Sequence, residues 1–270
     1  MSEHYHQGYG RRLAKRLADA ALHPFAVILG WRFPAYFHLR DKVRMMTVGI
    51  EPDLQRFVGA AMIPGETVLD VGANVGFLSR LFCRCVGPSG HVLAFEPEPD
   101  NLQALRYNLK RYPQAIVHDS ALSDHNGSAT LYLNRVSGTG NSLVPHELGT
   151  RQIRVTCQTM DAFLGQHPEV RPDWVKIDVE GGEFNVLRGM RNMVRLFPDV
   201  KLIIELCPEN LGGDKAAGLL VSDLQGMGFS MQLIRPDGST APFQGVSAHR
   251  DALIRQGYVN LFSVRRSLNP

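Results

Sequence analysis

The stretch Val68-Leu69-Asp70-Val71-Gly72-Ala73-Asn74-Val75-Gly76 constrains this chain more than any other, because an apolar run passes straight into a turn carrying two glycines. A helix-like segment follows, and about 20 residues beyond the turn a second apolar run ends at Glu96. Strand, glycine turn, helix, strand and acid form one parallel βαβ unit. In such a unit the glycines let backbone approach a ligand, the helix N-terminus meets a negative group, and the distal carboxylate accepts hydrogen bonds from a ribose diol. The ligand expected here is a nucleoside.

The turn narrows the choice of nucleoside. A dinucleotide fold uses G-x-G-x-x-G to lay a pyrophosphate on the helix end, whereas here Asp70 precedes Gly72 and Asn74 lies before Gly76. A carboxylate at the strand end repels phosphate and welcomes an ammonium group. Gly72, Ala73, Asn74, Gly76 and Phe77 can then hold a carboxylate. An adenosine joined to an amino-acid zwitterion satisfies both ends, which describes S-adenosylmethionine. NAD-dependent oxidoreduction is disfavoured by the missing glycine.

The rest of the chain supports one α/β core. Strands are expected over 67–71, 91–95, 116–118, 175–178, 201–207, 230–234 and 258–264, and helices over 75–85, 99–111, 182–197 and 215–227. Between 124 and 164 the pattern changes to a hairpin, 129–134 and 152–158, around a loop rich in Gly, Ser, Thr and Asn, an insertion suited to a lid. In an open α/β sheet, ligands bind outside the carboxyl ends of the strands. The polar candidates fall there: Asp70 to Phe77, Glu96 with Pro97 and Asn101, Asp119 with Ser120 and Ala121, Asp178 to Gly181, and Glu205. Glu96 is expected on the ribose, Pro97 with Glu98 or Asn101 at the edge of the adenine pocket, and Asp119, Ser120 and Ala121 near the adenine amino group.

Composition sets outer limits. At 270 residues, with 44% hydrophobic side chains, the chain suffices for one α/β domain over 51–270 preceded by a helical segment over 1–50. A formal charge of +3 is far from the dense basic face of a nucleic-acid binder. Cys83, Cys85, Cys157 and Cys207 lack metal-ligand spacing and are expected as free thiols in a reducing cytoplasm. Residues 1–50 place Arg11, Arg12, Lys15 and Arg16 among apolar residues, with an apolar run at 25–31 after Pro24. This segment either packs on the core or on a second copy of the chain as a homodimer contact, or lies on an anionic membrane surface.

The segments 68–76, Phe95-Glu96-Pro97, Ala121-Leu122-Ser123-Asp124, Gly138-Thr139-Gly140-Asn141-Ser142 and Val175-Lys176-Ile177-Asp178-Val179-Glu180-Gly181 together resemble the FkbM family of S-adenosylmethionine-dependent methyltransferases. The resemblance implies a Rossmann-like class I methyltransferase fold, a seven-stranded, mostly parallel sheet with helices on both faces. It also implies O-methylation of a hydroxyl on a sugar, glycolipid or polyketide-type product, so the expected partner is a small-molecule or glycan acceptor. In this family the acceptor should meet the methyl group near the fourth strand's end, where Lys176, Asp178, Glu180 and Glu183 cluster. A hydroxyl needs a base to become a nucleophile. Asp178 or Glu180 is expected in that role, with Lys176 balancing charge and His146, beyond the glycine loop, as a further catalytic candidate. Asn141 and Ser142 could hydrogen-bond a sugar hydroxyl. Two acids without a further oxygen cluster are weak grounds for Mg²⁺, and no metal is expected. In another class, a nucleoside-binding scaffold without turnover would keep the turn and Glu96 but not the polar cluster.

Overall fold

A computed structural model of the chain describes residues 17–18, 20–22, 24–134, 140–145 and 149–265. The strands are β1 (Thr67–Val71), β2 (His91–Phe95), β3 (Ala115–His118), β4 (Ala121–Leu122), β5 (Gly127–Asn134), β6 (Gly149–Gln158), β7 (Trp174–Ile177), β8 (Lys201–Leu206), β9 (Phe229–Ile234), β10 (Thr240–Pro242) and β11 (Val259–Arg265). The helices are α1 (Leu39–Met46), α2 (Pro52–Ala61), α3 (Phe77–Val86), α4 (Pro99–Leu109), α5 (Met160–Gln166), α6 (Glu183–Arg188), α7 (Arg191–Leu196), α8 (Pro208–Leu211), α9 (Asp214–Gly226) and α10 (Arg250–Gln256).

The main sheet runs β10-β9-β11-β8-β7-β1-β2-β3. It contains the seven expected strands and one more, the short β10, which pairs antiparallel with β9 at the edge. From β8 to β3 all pairings are parallel, and β11 is antiparallel to both β8 and β9. Strands buried on both faces read as nearly continuous apolar runs, which is why they are visible in the sequence.

Period-two alternation divides the core. Leu69, Val71, Leu93, Phe95, Val175, Ile177, Leu202 and Ile204 join one apolar cluster with the face covered by α5, α6, α7 and α9. Val68, Val92, Ala94, Trp174 and Ile203 join a second, with α2, α3, α4 and residues of the N-terminal segment such as Trp31, Phe37 and Met45. Residues 31–62 are therefore stitched to the domain rather than separate from it. The Tyr36 hydroxyl donates to Asn101 Oδ1 at 2.6 Å, and the Arg32 amide donates to Asn108 Oδ1 at 2.6 Å.

Two sequence expectations change. The single helix expected over 182–197 is two helices, parted at Gly189 and Met190, and Gly189 lies so close to Ser123 that a Cβ there would overlap the Ser123 carbonyl oxygen. Asp161 of α5 then caps the second helix, accepting from the Met193 and Asn192 amides at 2.7 and 3.0 Å. The insertion is a separate sheet in the order β4-β6-β5, with Leu131, Leu133 and Val155 packed as its own small core. Among the described residues, no helix is long and apolar enough to cross a membrane.

Candidate active site

The chain leaves β1 toward β2 on one side and, later, returns as β7 on the other, so strand order reverses between them. A cavity of about 450 Å³ opens at that switch point. Alternation places the polar groups on one sheet face. Asp70 and Lys176 are register partners on β1 and β7, and Glu205 and Asn260 on β8 and β11. These groups belong to the sheet face of Val68, Trp174 and Ile203.

The glycine turn is built from inside. Gly72 has a φ of +85°, and a side chain there would overlap the carbonyl oxygen of Asp178. Asn74 holds a φ of +52°, a left-handed position that asparagine tolerates better than most residues. The turn amides expected to receive a ligand carboxylate are already engaged. Gly72 and Ala73 donate to the Phe95 carbonyl, Asn74 donates to Glu96 Oε2 at 2.8 Å, Val75 donates to Asn74 Oδ1, and Gly76 donates to the Ala73 carbonyl. Donors for a ligand anion move to the first turn of α3, where Phe77 and Leu78 line the cavity and have no intrahelical acceptor. Gly76 does not line the cavity; a Cβ there would press on Leu105.

Glu96 is buried, with Oε2 accepting from Asn74 and Oε1 from the Glu98 amide, both at 2.8 Å. Each oxygen keeps a second acceptor site. Burial pushes its pKa up to about 7 despite those donors. Asp70 is fully buried, and the Ser79 hydroxyl donates to its Oδ2 at 2.5 Å while Oδ1 has no partner. Burial raises its pKa, and the Lys176 charge opposes that rise.

The fourth strand ends one residue short of the expected 175–178. β7 stops at Ile177, and Glu180 takes a left-handed φ of +54°, so Asp178 and Glu180 converge through a turn. Lys176 is buried and its Nζ lies 2.7 Å from Asp178 Oδ2. Burial disfavours the ammonium, but Asp178, Asp70 and Glu51 outweigh that and hold it protonated above the usual range. Burial, then Asp178 and Glu183, push Glu180 up to about 8, while Asn210 Nδ2 donates to its Oε2 at 2.6 Å. Glu183 turns the other way, accepting from the Val179 and Gly181 amides, and so shapes the turn rather than the cavity.

Carboxylate oxygens of Asp178, Glu180 and Glu205 lie within 4.8 Å of one another. Burial, then Asp178 and Glu180, raise Glu205 well above the carboxylate range. Oxygen donors in such a set match a hard divalent cation, although the Lys176 ammonium already supplies positive charge beside it. Glu51 joins from the residue before α2, accepting from Asn260 Nδ2 at 3.1 Å, with burial pushing it up to about 7.

The other candidates divide. Ala73, Pro97, Asn101, Ala121 and Asn141 line the cavity. Asp119 is exposed beside Arg106, and Ser120 accepts from Gln158 Nε2; neither lines the cavity. Ser142 accepts from the Val144 amide, and the Asn141 side-chain amide nitrogen is buried without a partner. His146 lies outside the described residues. Glu51, Tyr258 and Asn210 line the cavity but carry no motif that marks them in the sequence. For Glu205 there was a signal: a lone carboxylate near the end of the apolar run Leu202-Ile203-Ile204-Glu205-Leu206.

A family model for the methyltransferase FkbM domain matches residues 70–232, more than half of the chain. The chain belongs to the FkbM methyltransferase family. This FkbM methyltransferase is 26% identical to Methyltransferase 1 of Beauveria bassiana over 76% of its own length and 89% of that protein. It is 30% identical to the hexuronic acid methyltransferase AglP of Haloferax volcanii, over 61% of its own length and 62% of AglP. To the 31-O-demethyl-FK506 methyltransferase FkbM of Streptomyces tacrolimicus it is 28% identical, over 64% and 76%. It is an S-adenosylmethionine-dependent methyltransferase of Rossmann-like class I fold.

The cavity fits that cofactor chemically. Asp70 Oδ1 is an orphaned buried acceptor for an ammonium group, Glu96 retains acceptor capacity for a diol, and the cavity lining holds more carboxyl groups than cations. A cationic ligand is the complement of such a lining.

Proposed function

We propose that this FkbM methyltransferase transfers a methyl group to a hydroxyl of a sugar, a glycolipid or a polyketide-type natural product. The supporting observation is the convergence of Asp178, Glu180 and Glu205 beside the buried Lys176, in the same cavity as Asp70 and Glu96. When bound, S-adenosylmethionine supplies the methyl on a sulfonium, so the protein's tasks are alignment and proton removal. Glu96 would hold the ribose, Asp70 the ammonium end, and the first turn of α3 at Phe77 and Leu78 the carboxylate. Gly72, Ala73 and Asn74 would form the wall, and Pro97, Asn101 and Ala121 the adenine side.

An acceptor hydroxyl has to lose its proton as the carbon–oxygen bond forms. Asp178 Oδ2 is occupied by Lys176, leaving Oδ1 to receive it, and Glu180, lifted toward neutral pH, is the alternative base on the same turn. The unpartnered Asn141 amide nitrogen would donate to a neighbouring acceptor oxygen and fix the sugar's orientation. The acceptor class is supported by relatives whose names specify a hexuronic acid and 31-O-demethyl-FK506. The four free thiols suit a reducing cytoplasm.

Incubation with S-adenosylmethionine and a panel of hexosides, uronosides and macrolide alcohols, read by S-adenosylhomocysteine release and mass spectrometry, tests this. A methyl ether is expected. A methyl ester on a uronate carboxylate, or methylation at nitrogen or carbon, would refute it.

A further inference from the structure

Apolar exposure in this molecule is concentrated. Of the twelve large hydrophobic side chains exposed among the described residues, seven lie between residues 17 and 48: Leu17, Phe25, Val27, Ile28, Leu29, Val43 and Val48. The remaining five are scattered singly over the rest of the surface, as on any domain. Residues 24–28 are helical, and Phe25, Ile28 and Leu29 share one face at i, i+3 and i+4 while Ala26 turns into the core. Phe25 is 64% exposed and Ile28 74%.

Next to this face is a groove of about 280 Å³, where exposed Leu29 and Val48 flank Arg80 and Arg84. Among the described residues lining it there is no carboxylate, and neither arginine forms an ion pair. The Arg80 guanidinium lies 4.0 Å from the Trp31 ring centroid and donates to the Gly30 carbonyl, and its buried Nε has no acceptor. The sequence adds Arg11, Arg12, Lys15 and Arg16 just before the apolar helix, so residues 1–50 carry eight basic and three acidic side chains in a chain of net charge +3.

Apolar side chains standing out beside an acid-free arginine groove complement a surface with acyl chains beneath phosphates. We infer that residues 24–48 and the Arg80–Arg84 groove dock this protein on an anionic lipid bilayer, with Phe25, Ile28 and Leu29 entering the interface and the groove taking a lipid phosphate. Met45 and Phe77 line both the groove and the methyl-transfer cavity, so docking would hold the cavity's mouth beside the lipid headgroups. The inference concerns the surface alone and stands whether or not the acceptor hydroxyl is as proposed.

The test is sedimentation of the 270-residue chain with vesicles of phosphatidylcholine alone or with phosphatidylglycerol added. Binding to the phosphatidylglycerol vesicles and weak binding to phosphatidylcholine are expected. Phe25→Asp with Ile28→Asp should abolish it, and Arg84→Gln should weaken it roughly fivefold, the factor for about 1 kcal/mol per basic residue at an anionic surface. Circular dichroism and S-adenosylmethionine binding check that the variants fold; if the double variant does not, Ile28→Gln alone replaces it. Absence of vesicle binding, or equal binding by the variants, overturns the inference. So does a wild-type dimer that the Phe25 and Ile28 changes convert to monomer without any vesicle binding, which makes the face a contact between copies. Glycerol 3-phosphate binding without vesicle binding would reduce the groove to a soluble-anion site and also overturn it.

Discussion

Replacing Glu96 with glutamine separates what this residue does for the turn from what it does for the cofactor. In the folded chain its two oxygens accept from the Asn74 and Glu98 amides, both at 2.8 Å. Glutamine keeps one acceptor oxygen and sets an NH₂ against the other amide, leaving a buried donor unsatisfied at a cost of about 1–3 kcal/mol of stability. Because Asn74 sits at a φ of +52°, the turn loses the bond that anchors its strained residue. The ribose hydroxyls would also lose a charged acceptor, about 1.5–3 kcal/mol, so cofactor affinity should fall roughly ten- to a hundredfold. Titration calorimetry with S-adenosylmethionine at pH 8 and urea unfolding measure the two effects separately. The pH dependence is an internal control. With its pKa pushed up to about 7, wild-type Glu96 gains its charge as pH rises through neutrality, so the affinity gap between wild type and Glu96→Gln should widen from pH 6 to pH 8. Equal affinities at pH 8 would remove Glu96 from the cofactor site, and an unchanged urea midpoint would show that it does not anchor the turn.

Three further outcomes are expected. Gly72→Ala adds a Cβ into the Asp178 carbonyl and puts a side chain at a φ of +85°, so it should cost at least about 2 kcal/mol in urea unfolding; wild-type stability would mean the turn is not held this way. Asp178→Asn should fold and bind cofactor yet lose methyl transfer by at least about a hundredfold, the scale of general-base catalysis, and retained turnover would move the base to Glu180. Glu51, Glu96, Glu180 and Glu183 all have folded-state pKa values of about 7–8 against an ordinary 4.5, so the stability they confer is full below that value and lost as pH rises through 7–8. Ligand-free protein should therefore have a lower urea midpoint at pH 8.5 than at pH 6.5, and a higher one would contradict the burial of these acids.

What the sequence made legible follows from which forces act locally. Buried parallel strands must be apolar on both faces, so runs such as Val68-Leu69 and Leu202-Ile203-Ile204 declare themselves, and the last charged residue of each run marks the strand end where ligands bind. Asp119 satisfied the same rule but not the geometry. β3 is the edge strand, two places from β1, and its end opens to solvent instead of into the switch point. Glu51 could not be read, since it reaches the site only because α2 packs across the sheet and Asn260 holds its carboxylate. At the split, Gly189 packs against Ser123, sixty-six positions away, a contact that no local periodicity encodes.

The polar cluster also explains why one sheet face carries charge at all. Asp70, Lys176 and Glu205 occupy positions whose neighbours along each strand are core residues, so desolvation raises the energy of each ionised form. One ammonium answers Asp178, while Asp70 retains an unpartnered oxygen and Glu180 and Glu205 are driven toward protonation. A core selected for stability alone would carry apolar side chains at these positions. Acids kept there without enough counter-charge fit a cavity completed by a cationic ligand, whose arrival lowers the cost of ionising them.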